Sequence, residues 1–221
     1  MSERPRKRPV AWSLATPRLR LRVYHPRDAP AFVEAVESCR EVLARTMPFA
    51  LEPATVDTYV PLFEGFQHRA HQRDYLFGLW HPTADGEVAV GGCGLHPTVG
   101  TLGREAGYWI VQDYWGQGFA TEALAALGAL AFHLERVDRV ELRIEPSNTA
   151  SQQVAARSGY TREALLKRRF AMGDEVRDVE VHTLFASDWP HSPGAAVPVR
   201  AFDSADRPVP WPPLTEADPW V

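Results

Sequence analysis

Between residues 106 and 134 an apolar stretch, a pair of glycines and a long helical pattern follow one another, and this succession restricts the fold more than any other segment. Ala106-Gly107-Tyr108-Trp109-Ile110-Val111 reads as an apolar strand. Gly116 and Gly118 come next. Phe119, Ala120, Ala123, Leu124, Leu127, Leu130, Ala131 and Leu134 then recur at helical spacing, as on an amphipathic helix that faces a core. Where a strand runs through glycines into a helix, the first N–H groups of the helix have no partner and the helix dipole adds positive charge. Glycine lets a ligand approach the backbone closely. Such a junction suits an anion, a pyrophosphate above all, and needs no lysine. A glycine pair before a helix is also a plain turn, so the surrounding sequence must decide.

Other phosphate and catalytic signatures do not match. The pattern GxxxxGK[ST] is absent, and a dinucleotide GxGxxG fails at Thr121 and would follow at least four strands rather than open the chain. No GxSxG or HExxH occurs. Cys39 and Cys93 stand far apart, and His68 and His71 read as a solvated pair on a helix, so no metal site is expected. No apolar run is long enough to span a bilayer, and the basic start Met1–Pro9 is not followed by a signal-peptide core, so the cytoplasm is the expected location. The net charge of −4 gives no electrostatic case for nucleic acid, and Arg4–Arg8 reads as a frayed basic arm.

The rest of the chain reads as α/β. Leu19, Leu21 and Val23 alternate with arginines as a strand with one wet face. Helices are expected after Pro26 and over about 55–71, with strands at 75–80 and 88–95 joined through Asp85-Gly86. Residues 139–145 alternate charge with Val140, Leu142 and Ile144, Asn148 opens a short helix ending at Ser158-Gly159, and strands follow near 160–170 and 177–185. Eight of the nineteen prolines lie from Pro190 onward. The expected division is a basic arm over 1–9, one α/β domain over 10–189 and a Pro/Trp-rich tail over 190–221. That tail is either disordered or a strap for Trp211 and Trp220 on the domain or a neighbour.

The run Tyr114-Trp115-Gly116-Gln117-Gly118-Phe119-Ala120-Thr121-Glu122-Ala123-Leu124 resembles the acetyl-CoA loop of the GNAT superfamily: Arg or Gln, two residues, Gly, one residue, Gly or Ala. Trp115 at the first position is a departure that the RimJ/RimL-like branch shares. Thr16–Arg22 resembles the opening strand of that branch, and Glu105–Ile110 its fourth strand. Asn148-Thr149-Ala150-Ser151 with Ser158-Gly159-Tyr160 resembles a later segment, and Asp178–His182 also fits. The resemblance covers about residues 10–190 and leaves the tail outside.

What the resemblance implies is a single domain with a mixed, mostly antiparallel twisted sheet. The sheet would splay at a central parallel pair, ending near Val111 and Glu145, and be flanked by helices. Acetyl-CoA would enter the split. Its pantetheine arm would pair with the backbone of Ile110, Val111 and Gln112. Its pyrophosphate would meet the N–H groups of Gly116, Gln117, Gly118, Phe119, Ala120 and Thr121, and Asn148 would hydrogen-bond near the arm. A primary amine would attack the thioester directly. Many relatives supply a tyrosine from the helix after the fifth strand as proton donor; that helix has no tyrosine here, and Ser151 is the expected donor. Glu105 is the expected base. The alternatives are that Ser151 merely bonds backbone and that Glu105 is an exposed strand carboxylate. The acceptor would be a protein N-terminus, an amino acid or a small amine. A protein α-amino group, with a pKa near ~8, would need less help from a base than a lysine near ~10. A non-catalytic acyl-CoA sensor and an antibiotic-modifying acetyltransferase are the alternative functions, and a homodimer is expected because relatives often pair.

Overall fold

A computed structural model describes residues 9–212. Its sheet contains β1 (Ser13–Ala15), β2 (Arg20–Val23), β3 (Tyr75–Thr83), β4 (Gly86–His96) and β5 (Gly103–Ile110). It continues with β6 (Arg139–Ile144), β7 (Thr161–Met172), β8 (Glu175–Phe185), β9 (Arg200–Phe202) and β10 (Pro208–Val209). The order across the sheet is β10-β9-β1-β2-β3-β4-β5-β6-β8-β7. β5 and β6 run parallel, and the other ladders among the described residues are antiparallel. The mixed, mostly antiparallel sheet with one parallel pair that the resemblance implies is therefore the architecture observed.

Helices cover both faces. α1 (Ala29–Glu37), α2 (Arg40–Leu43) and α3 (Val56–His71) lie on one side, where Phe32, Leu43, Tyr59 and Phe63 pack with Tyr24 and Trp109. α4 (Phe119–Ala129) and α5 (Thr149–Arg157) lie on the other, where Leu124, Leu127 and Ala155 pack with Ala106, Leu142 and Ile144. Successive side chains of a strand point to opposite faces, so β5 serves both cores at once: Ala106 and Ile110 to the α4 side, Trp109 to the α1–α3 side.

The parallel ladder is short. It pairs Gly103–Ala106 with Arg139–Leu142 and stops, although β5 continues to Ile110 and β6 to Ile144. Beyond Ala106 the two strands diverge, which opens the sheet at its middle.

Beyond residue 189 the Pro/Trp-rich segment lies on the sheet, as in the strap alternative: β9 pairs antiparallel with β1, Ser13 opposite Phe202, and β10 pairs with β9. Proline cannot donate to a ladder, but Pro208 lies in β10, a two-residue strand at the sheet's edge, where that costs little. Trp189 lies against α4 at a place that only glycine permits: a Cβ on Gly128 would come within 2.5 Å of its ring. Gly194 also lies against the ring and against Ala125 of α4, where an added Cβ would be 2.9 Å from the ring. This cover is why α4 is buried all round rather than amphipathic as its spacing suggested. Trp211 donates from Nε1 to the Val199 carbonyl at 2.7 Å and packs on His133. Trp220 and the arm Arg4–Arg8 lie outside the described residues.

Candidate active site

After β5 the chain makes one turn of 3-10 helix, Gln112–Tyr114, and reaches the glycines. Gly116 and Gly118 both adopt the left-handed region, φ +73° and +82°. Side chains rarely tolerate that region, which accounts for glycine at both positions. Gly118 is the N-cap of α4, so the N–H groups of Phe119, Ala120 and Thr121 are the unpaired donors of the first turn. A Cβ on Gly116 would meet nothing within 4 Å, so the loop's concave side is open. These donors, with the helix dipole behind them, fit a pyrophosphate.

The loop is braced from below. Glu122, in the first turn of α4, is buried and accepts from Thr16 Oγ1, from the Arg18 N–H at 2.9 Å and from Arg18 Nε at 2.7 Å. Arg18 also donates to the Gln117 carbonyl at 2.8 Å and lies 4.7 Å over the Phe119 ring. One arginine thus ties the turn between β1 and β2 to the loop.

At the splay the backbone of β5 is the exposed element. The Val111 N–H goes to the Val90 carbonyl of β4 at 2.9 Å. By alternation the backbone groups of Tyr108 and Ile110 point the other way, toward the gap that β6 leaves. The Ile110 carbonyl is covered by Trp115, whose Nε1 donates to it at 2.8 Å, and the Gln112 carbonyl accepts from the Trp115 N–H at 3.0 Å. Of the residues expected to line the pantetheine arm, Ile110 turns its N–H toward the gap and Val111 turns its N–H to β4.

Ser151 sits in the first turn of α5, below the gap. Asn148 is the N-cap of that helix and accepts the Ser151 N–H at 3.1 Å. Ser151 Oγ is 2.9 Å from the Tyr108 hydroxyl. Burial pushes the Tyr108 phenol up to about 12, and the bond with Ser151 pulls it down by less. The pair therefore keeps a proton to give throughout the physiological range. Tyr160 stands behind it: its hydroxyl is buried with no hydrogen-bond partner among the described residues, and burial raises its pKa well above the ordinary phenol range.

Glu105 lies on the opposite face of β5, with Trp109. It accepts from Thr98 Oγ1 at 2.6 Å and is 3.5 Å from Arg143 Nε. A pocket runs through the splay and joins the two faces, lined by Gly107, Tyr108, Arg143, Glu145, Asn148 and Ser151 among others. Tyr108 and Ser151 thus reach this cavity directly, and Glu105 stands beside Arg143, which lines it.

Sequence reading passed over Tyr108 and the Arg18–Glu122 brace. Strand alternation places Tyr108 on the α4–α5 side, but its meeting with Ser151 spans 43 positions in sequence and follows from the splay. Glu122 carried a signal: it is a carboxylate within an otherwise apolar run.

Residues 18–161 match the acetyltransferase (GNAT) domain family. Over 178 residues the chain is 25% identical to the [ribosomal protein uS5]-alanine N-acetyltransferase of Escherichia coli, covering 80% of this chain and 92% of that protein. It is 30% identical over 104 residues to an uncharacterized N-acetyltransferase, p20, of Bacillus licheniformis, and spans 58% of that protein's length. Mycobacterium smegmatis RimJ, solved in complex with CoA-disulfide, superposes with a TM-score of 0.70 at 28% identity, covering 84% of this chain and 91% of that one. The chain belongs to the GNAT family of acetyltransferases, which move an acetyl group from acetyl-CoA to an amine.

Proposed function

We propose that the acceptor is the α-amino group of a protein, acetylated inside the splay between β5 and β6. The observation that carries this reading is the Tyr108–Ser151 hydroxyl pair, which reaches the splay pocket from the face opposite Glu105. Bound acetyl-CoA supplies an activated acyl group, its thioester. The N–H groups from Gly116 to Thr121 hold the pyrophosphate, and the Tyr108 and Ile110 backbone lines the pantetheine arm, with Asn148 beside it. The Ile110 N–H stands where it can polarise a carbonyl oxygen. Tyr108 and Ser151 donate to sulfur as it leaves. Glu105 draws the amine to the other side and is the candidate base there.

The relative named an alanine N-acetyltransferase of ribosomal protein uS5 supports a protein acceptor. An α-amino group is partly neutral near pH 8 and needs only a mild base. A cytoplasmic homodimer goes with this reading, and a monomer mass in light scattering would remove the dimer.

Calorimetry with acetyl-CoA, with NAD as control, tests the cofactor site. Micromolar binding that disappears in Gly118→Asp is expected, because the substitution places a side chain at φ +82°, 3.4 Å from Arg18 Nη2 at its Cβ, and a negative charge among the phosphate donors. CoA release from acetyl-CoA with an alanine-starting peptide then tests the acceptor. Binding without turnover on any amine would leave an acyl-CoA sensor as the better description.

A further inference from the structure

On the Glu105 face of the splay a histidine is folded over a glycine. His96, the last residue of β4, has Nδ1 2.6 Å from Asp74 Oδ1. Arg69 holds the other oxygen of Asp74 at 2.6 Å. The ring lies back along its own strand, so that Nε2 is 2.3 Å from where a Cβ on Gly94 would stand. No other residue at position 94 permits that ring position. A hydrogen on Nδ1, facing the carboxylate, leaves the lone pair on Nε2. Among the described residues Nε2 has no hydrogen-bond partner.

What lies in front of Nε2 is bare. Gly94 pairs with Gly107, and His96 pairs with Glu105. Directly paired residues share a face, with Cβ atoms about 5 Å apart. A Cβ on Gly107 would meet nothing within 4 Å. Gly107 is the first β5 residue past the parallel ladder, and it lines the splay pocket. A floor two glycines wide therefore leads from the imidazole to the splay pocket, with Glu105 along its border. The charged groups around this imidazole are Asp74, Arg69 of α3, Glu105 of β5 and, beyond it, Arg143 of β6.

We propose that His96 takes the proton from the acceptor amine, that Asp74 is its positioning residue, and that Glu105 holds the ammonium form at the edge of the glycine floor. This rests on the N-acetyltransferase reading above and divides between two residues the task given there to Glu105. Glu105 Oε2 already serves Thr98 and Arg143, whereas the lone pair on His96 Nε2 is open. Imidazole is also the side chain whose ordinary titration falls near neutral pH, where a base for an α-amino group works best. In balance, the ammonium held at Glu105 first releases one proton to water, and Nε2 then accepts the second proton, which nitrogen loses as the C–N bond forms. The Tyr108–Ser151 pair gives a proton to sulfur as the C–S bond breaks. The imidazolium and the hydroxyl pair then return to their starting states by exchange with water, leaving amide and free thiol.

The test compares His96→Gln, Asp74→Asn and Glu105→Gln on the alanine-starting peptide, with CoA release followed across pH and acetyl-CoA binding by calorimetry. His96→Gln is expected to lower kcat by roughly 100-fold or more and to remove the acidic limb of the kcat profile, with acetyl-CoA affinity unchanged. Asp74→Asn, which removes the charge that stabilises the imidazolium, is expected to move that limb to lower pH. Glu105→Gln is expected to raise KM for the peptide more than it lowers kcat. A His96→Gln enzyme with full kcat and an intact limb overturns the proposal, and a limb lost only in Glu105→Gln returns the base role to that carboxylate. Should the wild type bind acetyl-CoA yet acetylate no peptide, nitrogen-15 spectra of the histidine-labelled, acetyl-CoA-loaded protein decide. A neutral His96 ring with hydrogen on Nδ1 at pH 8 supports the proposal, and hydrogen on Nε2 or a charged ring overturns it. A wild type that does not bind acetyl-CoA removes the N-acetyltransferase reading itself, and this proposal with it.

Discussion

The two faces of the sheet at the splay differ in kind. On the α4–α5 side stand hydroxyls: Tyr108 bonded to Ser151, with Tyr160 buried behind them. On the α1–α3 side stand charges: Glu105 with Arg143, and Asp74 with His96 and Arg69. The switch between them takes one residue of β5, because neighbouring side chains on a strand point to opposite faces. A leaving thiolate is best met by donors that stay protonated, and an arriving amine by groups that can carry or accept charge. Keeping the two sets on opposite sides of a backbone layer prevents the carboxylates from taking over the hydroxyl pair. The difference teaches that an opened sheet can give one reacting centre two unlike environments.

The hardest blow to that contrast is the removal of its uncharged half. Tyr108→Phe with Ser151→Ala should lower kcat on the order of 10³-fold, about 4 kcal/mol of barrier, while acetyl-CoA affinity holds. Stopped-flow CoA release measures this, and a double variant within a fewfold of the wild type would mean that the pair takes no part. A smaller effect sharpens the contrast through pH. The Tyr108 phenol is raised from 10.0 to about 12, so between those values the folded protein holds a proton that the unfolded chain has released. The contribution is complete below pH 10 and is lost as pH climbs toward 12. Urea midpoints should therefore fall over that window, and fall less in Tyr108→Phe; equal slopes in both proteins would argue that Tyr108 is not so placed. The smallest effect concerns Tyr160. Removing a buried hydroxyl that has no partner should be neutral or stabilising by up to ~1 kcal/mol, with kcat unchanged. A drop in kcat for Tyr160→Phe would instead add it to the hydroxyl set.

Much of this arrangement was legible in the residues. The glycine pair between an apolar strand and a helix located the left-handed turn that opens α4, because glycine adopts that backbone region readily. Alternation gave β2 and β6, and Asn148 gave the start of α5 together with the place of Ser151. What stayed hidden depends on distant strands becoming neighbours. The His96–Asp74 dyad joins the end of β4 to the start of β3, and nothing in either segment announces the other. Tyr108 was read as a strand residue, which it is, but its partner lies across a divergence that no local pattern encodes. β9 and β10 were missed because short edge strands among prolines carry neither periodicity nor length.

The pairing of β9 with β1 has a consequence for how the chain is made. β1 is synthesised well before β9, and in the finished sheet β1 lies between β9 and β2. Until Trp189 and β9 emerge, β1 has one open edge, and the side of α4 that Trp189 covers is bare. A ribosome carrying this chain thus displays the glycine loop and both halves of the splay before β9 is made, so closure of the first strand comes after assembly of the splay.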